Sequence, residues 1–228
     1  MLNIIPKNAN KTVIINSMLT ILLITIILIA AFYINYQMKK KPKKDKLMRK
    51  TLDDIDTNIT SINIAEASKQ NNLRDYYIMS SYNSCCNGNF KDGYVSINAL
   101  QDVIRKGARV LDFEVYNIEK KPVVACSTSD SFDFKGSYNS IPFKEVIDTI
   151  STHAFSASTC PNFNDPLIIH LRVKTKNTDV CHTIGEIISS QLDRYRLDNK
   201  YDNAYKIGDS HESLMKEPLK NFLGKVII

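Results

Sequence analysis

Ser80–Tyr116, SSYNSCCNGNFKDGYVSINALQDVIRKGARVLDFEVY, joins a polar loop, a capped helix and a strand carrying two acids within one stretch. In the strand Val110–Tyr116 side chains alternate between faces, so Asp112 and Glu114 point one way while Leu111, Phe113 and Val115 point the other. Two neighbouring carboxylates repel unless a metal, a basic side chain or a proton lies between them. Just upstream, Ser96 is placed as an N-cap and Ile97, Leu100, Val103 and Ile104 recur at helical spacing. Gly107 then supplies a stop, which predicts a helix over Ile97–Lys106.

Working outward, Glu119–Lys121 reads as a turn and Pro122–Ala125 as a short strand, and strand character is also expected at Tyr76–Met79. A polar loop from Cys126 to Ser140 leads into a helix at Phe143–Ala154, with Pro142 well placed at its start. Asp165-Pro166 opens a strand over Leu167–Lys174, and Thr178–Tyr195 has helical apolar spacing. Arg196–Lys220 is polar and irregular, and Val226–Ile228 begins another strand. Strands alternating with helices predict a parallel sheet with helical crossovers. The glycine fingerprint of an open dinucleotide-binding sheet is absent. A closed eight-stranded β/α barrel needs about 250 residues; the chain after its apolar segment is shorter, so the expected fold is part of a (β/α) barrel.

The amino end is of another character. No charged residue occurs from Thr12 to Met38, and Val13–Tyr33 is nearly all Ile, Leu, Val, Ala and Thr. Such a run is long enough for one transmembrane helix and too long for a signal peptide, and Ala30-Ala31-Phe32 makes a poor cleavage site. Lys7 and Lys11 precede the run, whereas eight Lys or Arg follow it between Lys39 and Lys50. That bias predicts a single-pass protein with its C-terminal domain on the cytoplasmic side and a basic segment against anionic lipid headgroups. Pro42 is expected to interrupt any helix continuing through that segment. The chain thus divides into a flank (1–11), a membrane helix (12–38), a basic juxtamembrane linker (39–74) and a folded domain (75–228).

Charge narrows the function classes. The formal +6 of the 228-residue chain comes from residues 1–50, which carry ten Lys or Arg and one Asp; the remainder sums to −3. A nucleic-acid partner for the folded part is therefore not expected. The five cysteines are odd in number and lack C-x-x-C spacing, which argues against a zinc site or a disulfide scaffold. They are expected as buried thiols, with pairing reserved for an oxidising compartment.

The order SSYNS, GARVLDFEVY, PVVACSTS, FKEVIDTISTHAF, CPNFNDPLIIHL and terminal GKVII resembles the X region of phosphatidylinositol-specific phospholipase C from about Asp75 to Ile228. The resemblance implies a β/α barrel with its site at the carboxyl ends of the strands. It also implies two histidines as general base and acid, and calcium, or in some bacterial relatives an arginine, stabilising the phosphoryl oxygens. Carried over, the first histidine falls on Tyr82 and the second on Cys126. The calcium-binding positions fall on Asn83, on Asp112 and Glu114, and on Arg172. A phenol ordinarily titrates near pH 10, about three units above working pH, and a guanidinium repels a calcium ion.

In IIHLRVK the alternation places His170, Arg172 and Lys174 on one face. Arg172 is therefore expected to bond Asp112 and Glu114 and to occupy the place of the metal. His153, His182 and His211 have no motif around them. Three readings follow: a catalytically degenerate domain binding a lipid headgroup or a protein, with no cofactor; an active phosphodiesterase using His170 as proton carrier and Arg172 with Lys174 for phosphate, with calcium as the cofactor if one is used; or a purely structural membrane protein. A parallel strand finishing at Ile228 leaves an open edge, where further chain, a second copy or a protein partner is expected to pair.

Overall fold

The structure is a computed structural model, and it describes residues 7–56, 59–63, 65, 71–128, 135–197 and 217–228. The chain divides into two compact units, Met1–Lys43 and Lys44–Ile228. A single helix, α1 (Lys7–Asp53), supplies all the described part of the first unit and the beginning of the second. Its apolar portion is long and apolar enough to cross a membrane. There the hydroxyls of Ser17, Thr20 and Thr25 each donate to the carbonyl four residues earlier, which satisfies them within the helix.

The helix continues through Pro42, contrary to the break expected there, and residues 39–53 are helical. Contacts inside the second unit account for its last turns. Asp45 accepts from Asn87 Nδ2 at 2.6 Å, Ser96 Oγ at 2.9 Å and Asn98 Nδ2 at 3.2 Å. Arg49 bonds Asp102 at 2.9 Å, and Met48 and Leu52 pack on the core. Tertiary contacts of this kind outweigh one missing backbone bond.

The remaining elements are β1 (Ser80–Ser81), α2 (Ile97–Arg105), β2 (Val110–Ile118), β3 (Lys121–Ala125), β4 (Ile141–Pro142), α3 (Phe143–His153), β5 (Leu167–Lys174), α4 (Thr178–Leu192) and β6 (Val226–Ile227). Their six-stranded sheet runs β4-β3-β2-β5-β6, with β1 sharing the β3 edge of β2. Strands β1, β2, β5 and β6 are parallel, as expected, but β3 runs antiparallel to β2, and β4 in turn antiparallel to β3. The departure arises at Glu119 and Lys120, both at positive φ (51° and 62°), which close β2 onto β3 as a two-residue hairpin instead of a crossover. Tyr76–Met79 is not strand. The Met79 carbonyl accepts from both Arg109 N and Val110 N, and pairing starts only at Ser80.

The side chains Leu111, Phe113 and Val115 of β2 bury against the helices, meeting Leu100 and Ile104 of α2, Ile147 and Ile150 of α3, and Val180 of α4 within one core. Ser96 caps α2 by accepting from Asn98 N, and Gly107 follows at φ +88°. A Cβ there would come within 3.0 Å of Ile59 Cγ2, so the residue serves both the turn and the close approach. Buried Arg109 ties the entry of β2 to the entry of β5 and the end of α3: it donates to the carbonyls of Pro166 (3.2 Å), Ala154 (2.6 Å) and Asp165. Of the irregular stretch Arg196–Lys220, residues 198–216 lie outside the described residues, as does His211.

Candidate functional site

The register of β2 and β5 sets the polar face opposite the core. Asp112 pairs with His170, Glu114 with Arg172 and Tyr116 with Lys174. Because adjacent parallel strands carry matched residues on the same face, the two acids and the arginine meet directly. Arg172 Nη1 donates to Glu114 Oε1 at 2.6 Å, Nη2 donates to Asp112 Oδ1 at 2.6 Å, and Nε donates to Asp112 Oδ2 at 3.1 Å. Nη2 also reaches Asn83 Oδ1 at 2.9 Å.

Asn83 arrives from the loop after β1 in the left-handed region (φ 48°), which Asn tolerates better than most residues. Its N–H donates to Asp112 Oδ1 at 3.0 Å, while its Nδ2 is buried with no partner among the described residues. Ser84 locks the same loop to β2, accepting from Asp112 N at its hydroxyl and donating its own N–H to the Asp112 carbonyl.

Both carboxylates are deeply enclosed, with side-chain exposures of 8% for Asp112 and 2% for Glu114. Burial works to raise the Asp112 carboxyl, yet the hydrogen bonds from Arg172, the Asn83 N–H and His170 outweigh it and hold the group below the usual carboxylate value. For Arg172, burial works downward, and Asp112 and Glu114 outweigh it. The second oxygen of Glu114 accepts from Tyr116 Oη at 2.8 Å; burial and this bond push the phenol up. The sequence analysis does not place Tyr116 here, although it follows Glu114 by two residues on the same strand face.

His170 Nδ1 lies 2.7 Å from Asp112 Oδ2, and the imidazole is largely exposed. An ionised carboxylate only accepts, so Nδ1 carries the hydrogen and Nε2 is the other ring nitrogen available to solvent. Lys174 is buried at the end of the same face.

Tyr82 is exposed, and its ring sits over the Arg172 guanidinium at 4.4 Å and edge-on to Phe90 at 5.4 Å. Cys126 is buried at the end of β3 and faces away from solvent toward Cys86 Sγ, 3.6 Å distant. His153 and His182 stand apart, on α3 and α4.

The family resemblance implies calcium at Asn83, Asp112 and Glu114, and these residues do not fit it as arranged. Calcium requires six to eight oxygen ligands (about 2.4 Å away) and no cation among them. Here one oxygen of Asn83, both of Asp112 and one of Glu114 accept from the guanidinium, and the last oxygen of Glu114 accepts from Tyr116.

The sequence profile of the phosphatidylinositol-specific phospholipase C X domain matches residues 69–228. The chain belongs to this family. Two solved structures similar to the X domain are those of L. pealei PLC21 (TM-score 0.52, 18% identity) and S. officinalis PLC21 (TM-score 0.48, 17% identity). Each similarity covers 70% of this chain and 18% of the other, so the chain spans less than a fifth of the length of these phospholipases. At that identity the first likeness bears on the fold alone. No curated protein sequence matches the chain.

Proposed function

We propose that this chain is a catalytically degenerate phospholipase C X domain, a portion of a β/α barrel, carried on a single-pass membrane anchor and serving as a binding module on the cytoplasmic side. The observation that carries the reading is the Arg172 guanidinium between Asp112 and Glu114, where it uses four of its five N–H donors internally. Phosphodiester cleavage by the inositol hydroxyl needs a base, an acid and a stabiliser of phosphoryl charge. By the family resemblance, Tyr82 and Cys126 take the places of the two proton-transferring histidines, the one stacked on Arg172 and the other buried on Cys86. The stabilising cation is already neutralised by two carboxylates. The basic segment Lys39–Lys50 is the proposed contact with anionic lipid headgroups.

The contact between Asp112 and His170 favours a second reading, an active metal-independent phosphodiesterase. A carboxylate on Nδ1 fixes the tautomer that leaves Nε2 as a base, with Arg172 and Lys174 then facing phosphate. Incubating the full chain in mixed micelles containing phosphatidylinositol, with calcium or with chelator, separates the two. The first reading predicts no water-soluble inositol phosphate from folded protein in either condition. Release that disappears in His170→Ala establishes the second.

A further inference from the structure

Four of the five cysteines are buried, and two of these meet. Cys126 Sγ lies 3.6 Å from Cys86 Sγ although the residues are 40 apart in sequence. The backbone fixes both. The Cys126 carbonyl accepts from Gly136 N at 2.8 Å and Ser137 N at 3.0 Å, and Cys86 N donates to the Asn83 carbonyl at 2.7 Å. Cys86 also pairs with Val95 through an isolated β-bridge. The two sulfurs line one narrow gap together with Asn83, Val124 and Ala125. A disulfide has its sulfurs about 2 Å apart, so joining these two requires them to close in from 3.6 Å.

We propose that Cys86 and Cys126 are a modification site, forming a reversible intramolecular disulfide when the protein meets a peroxide. Cys86 is the sulfur attacked first, because it retains 8% exposure against 1% for Cys126. Its sulfur attacks one peroxide oxygen and the O–O bond breaks. The departing hydroxide leaves as water with the thiol proton, and Cys86 becomes a sulfenic acid. The Cys126 sulfur then attacks the Cys86 sulfur, the S–O bond breaks, and a second water departs with the Cys126 proton. The peroxide gains the two electrons that the thiols lose, and a dithiol reductant reverses the change. The bond ties the end of β3 to the loop that positions Asn83, so oxidation covalently closes the wall beside Asp112.

The test is peroxide treatment of the full chain in detergent micelles, alkylation of remaining thiols, and peptide mapping without reduction. The expected result is a linked pair joining the Cys85-Cys86 peptide to the Cys126 peptide, with Cys181 alkylated and the link removed by dithiothreitol. Cys85→Ser retains the link and Cys86→Ser abolishes it. In Cys126→Ser, Cys86 is trapped as a sulfenic acid by a dimedone reagent. The proposal is overturned if the two thiols of the native chain stay separately alkylated, if Cys86 proceeds to sulfinic acid unlinked, or if the bond forms to Cys85, Cys160 or Cys181. The native map and the Cys85→Ser map decide the question even where a Cys126 variant fails to fold.

Discussion

Replacing Arg172 by leucine removes the cation between two enclosed carboxylates while keeping much of its apolar stem. Asp112 and Glu114, whose side chains are 8% and 2% exposed in the native chain, then face each other without three charge-assisted hydrogen bonds, and Asn83 loses a fourth. Removing one partner of a buried ion pair costs about 3–5 kcal/mol, chiefly because the remaining charges stay desolvated. With a urea slope of about 2 kcal/mol per molar, the unfolding midpoint at neutral pH falls by about 2 M. The loss has a defined pH dependence. In the native chain Asp112 has a lowered folded pKa, so its contribution is complete above the ordinary carboxylate value and is lost only as pH falls through the lowered one. In Arg172→Leu the carboxylate pair takes up a proton at higher pH than Asp112 does natively, which relieves the repulsion. The gap between native and variant chains therefore narrows as pH drops from 7 toward 4. Arg172→Lys, which keeps the charge but not the planar fork, lies between them. Urea unfolding followed by circular dichroism measures each midpoint. A midpoint shift under about 0.5 M at neutral pH, or a gap independent of pH, refutes the reasoning.

Asp45→Ala leaves Asn87, Ser96 and Asn98 without their shared acceptor, and the domain loses about 2 kcal/mol by the same urea measurement; an unchanged midpoint contradicts the docking of the last turns of α1. Ile147→Ala, at a fully buried position in α3, opens a cavity and costs about 2–5 kcal/mol, read as a fall in melting temperature. Ile24→Lys, in the middle of the apolar run, adds about 3 kcal/mol to membrane insertion; carbonate extraction is expected to retain the native chain in the membrane and to move part of the variant to the soluble fraction, and release of the native chain speaks against a spanning role.

Much of the site was legible because strand alternation is a rigid rule. Asp112 and Glu114 in LDFEVY, and His170 and Arg172 in IIHLRVK, each share a face, and pairing of the two strands brings Glu114 opposite Arg172. Tyr116 was equally legible by the same rule. Alternation carries no register, however, and it does not distinguish a hairpin from a crossover, so the antiparallel turn at Glu119 and Lys120 emerges only from the backbone. Nor does local propensity reveal the helix through Pro42, whose last turns depend on Asp45, Met48 and Leu52 meeting residues far along the chain. Nothing local in GARVLDFEVY marks Arg109 as a buried clamp. Its three carbonyl partners come from the end of α3 and the entry to β5.

Calorimetric titration of calcium into the folded full chain tests the central claim most directly, that Arg172 occupies the place of a metal between Asp112 and Glu114. The account predicts no heat beyond dilution for the native chain and the appearance of binding in Arg172→Glu, which restores a third carboxylate beside Asn83. Stoichiometric micromolar binding by the native chain would contradict it.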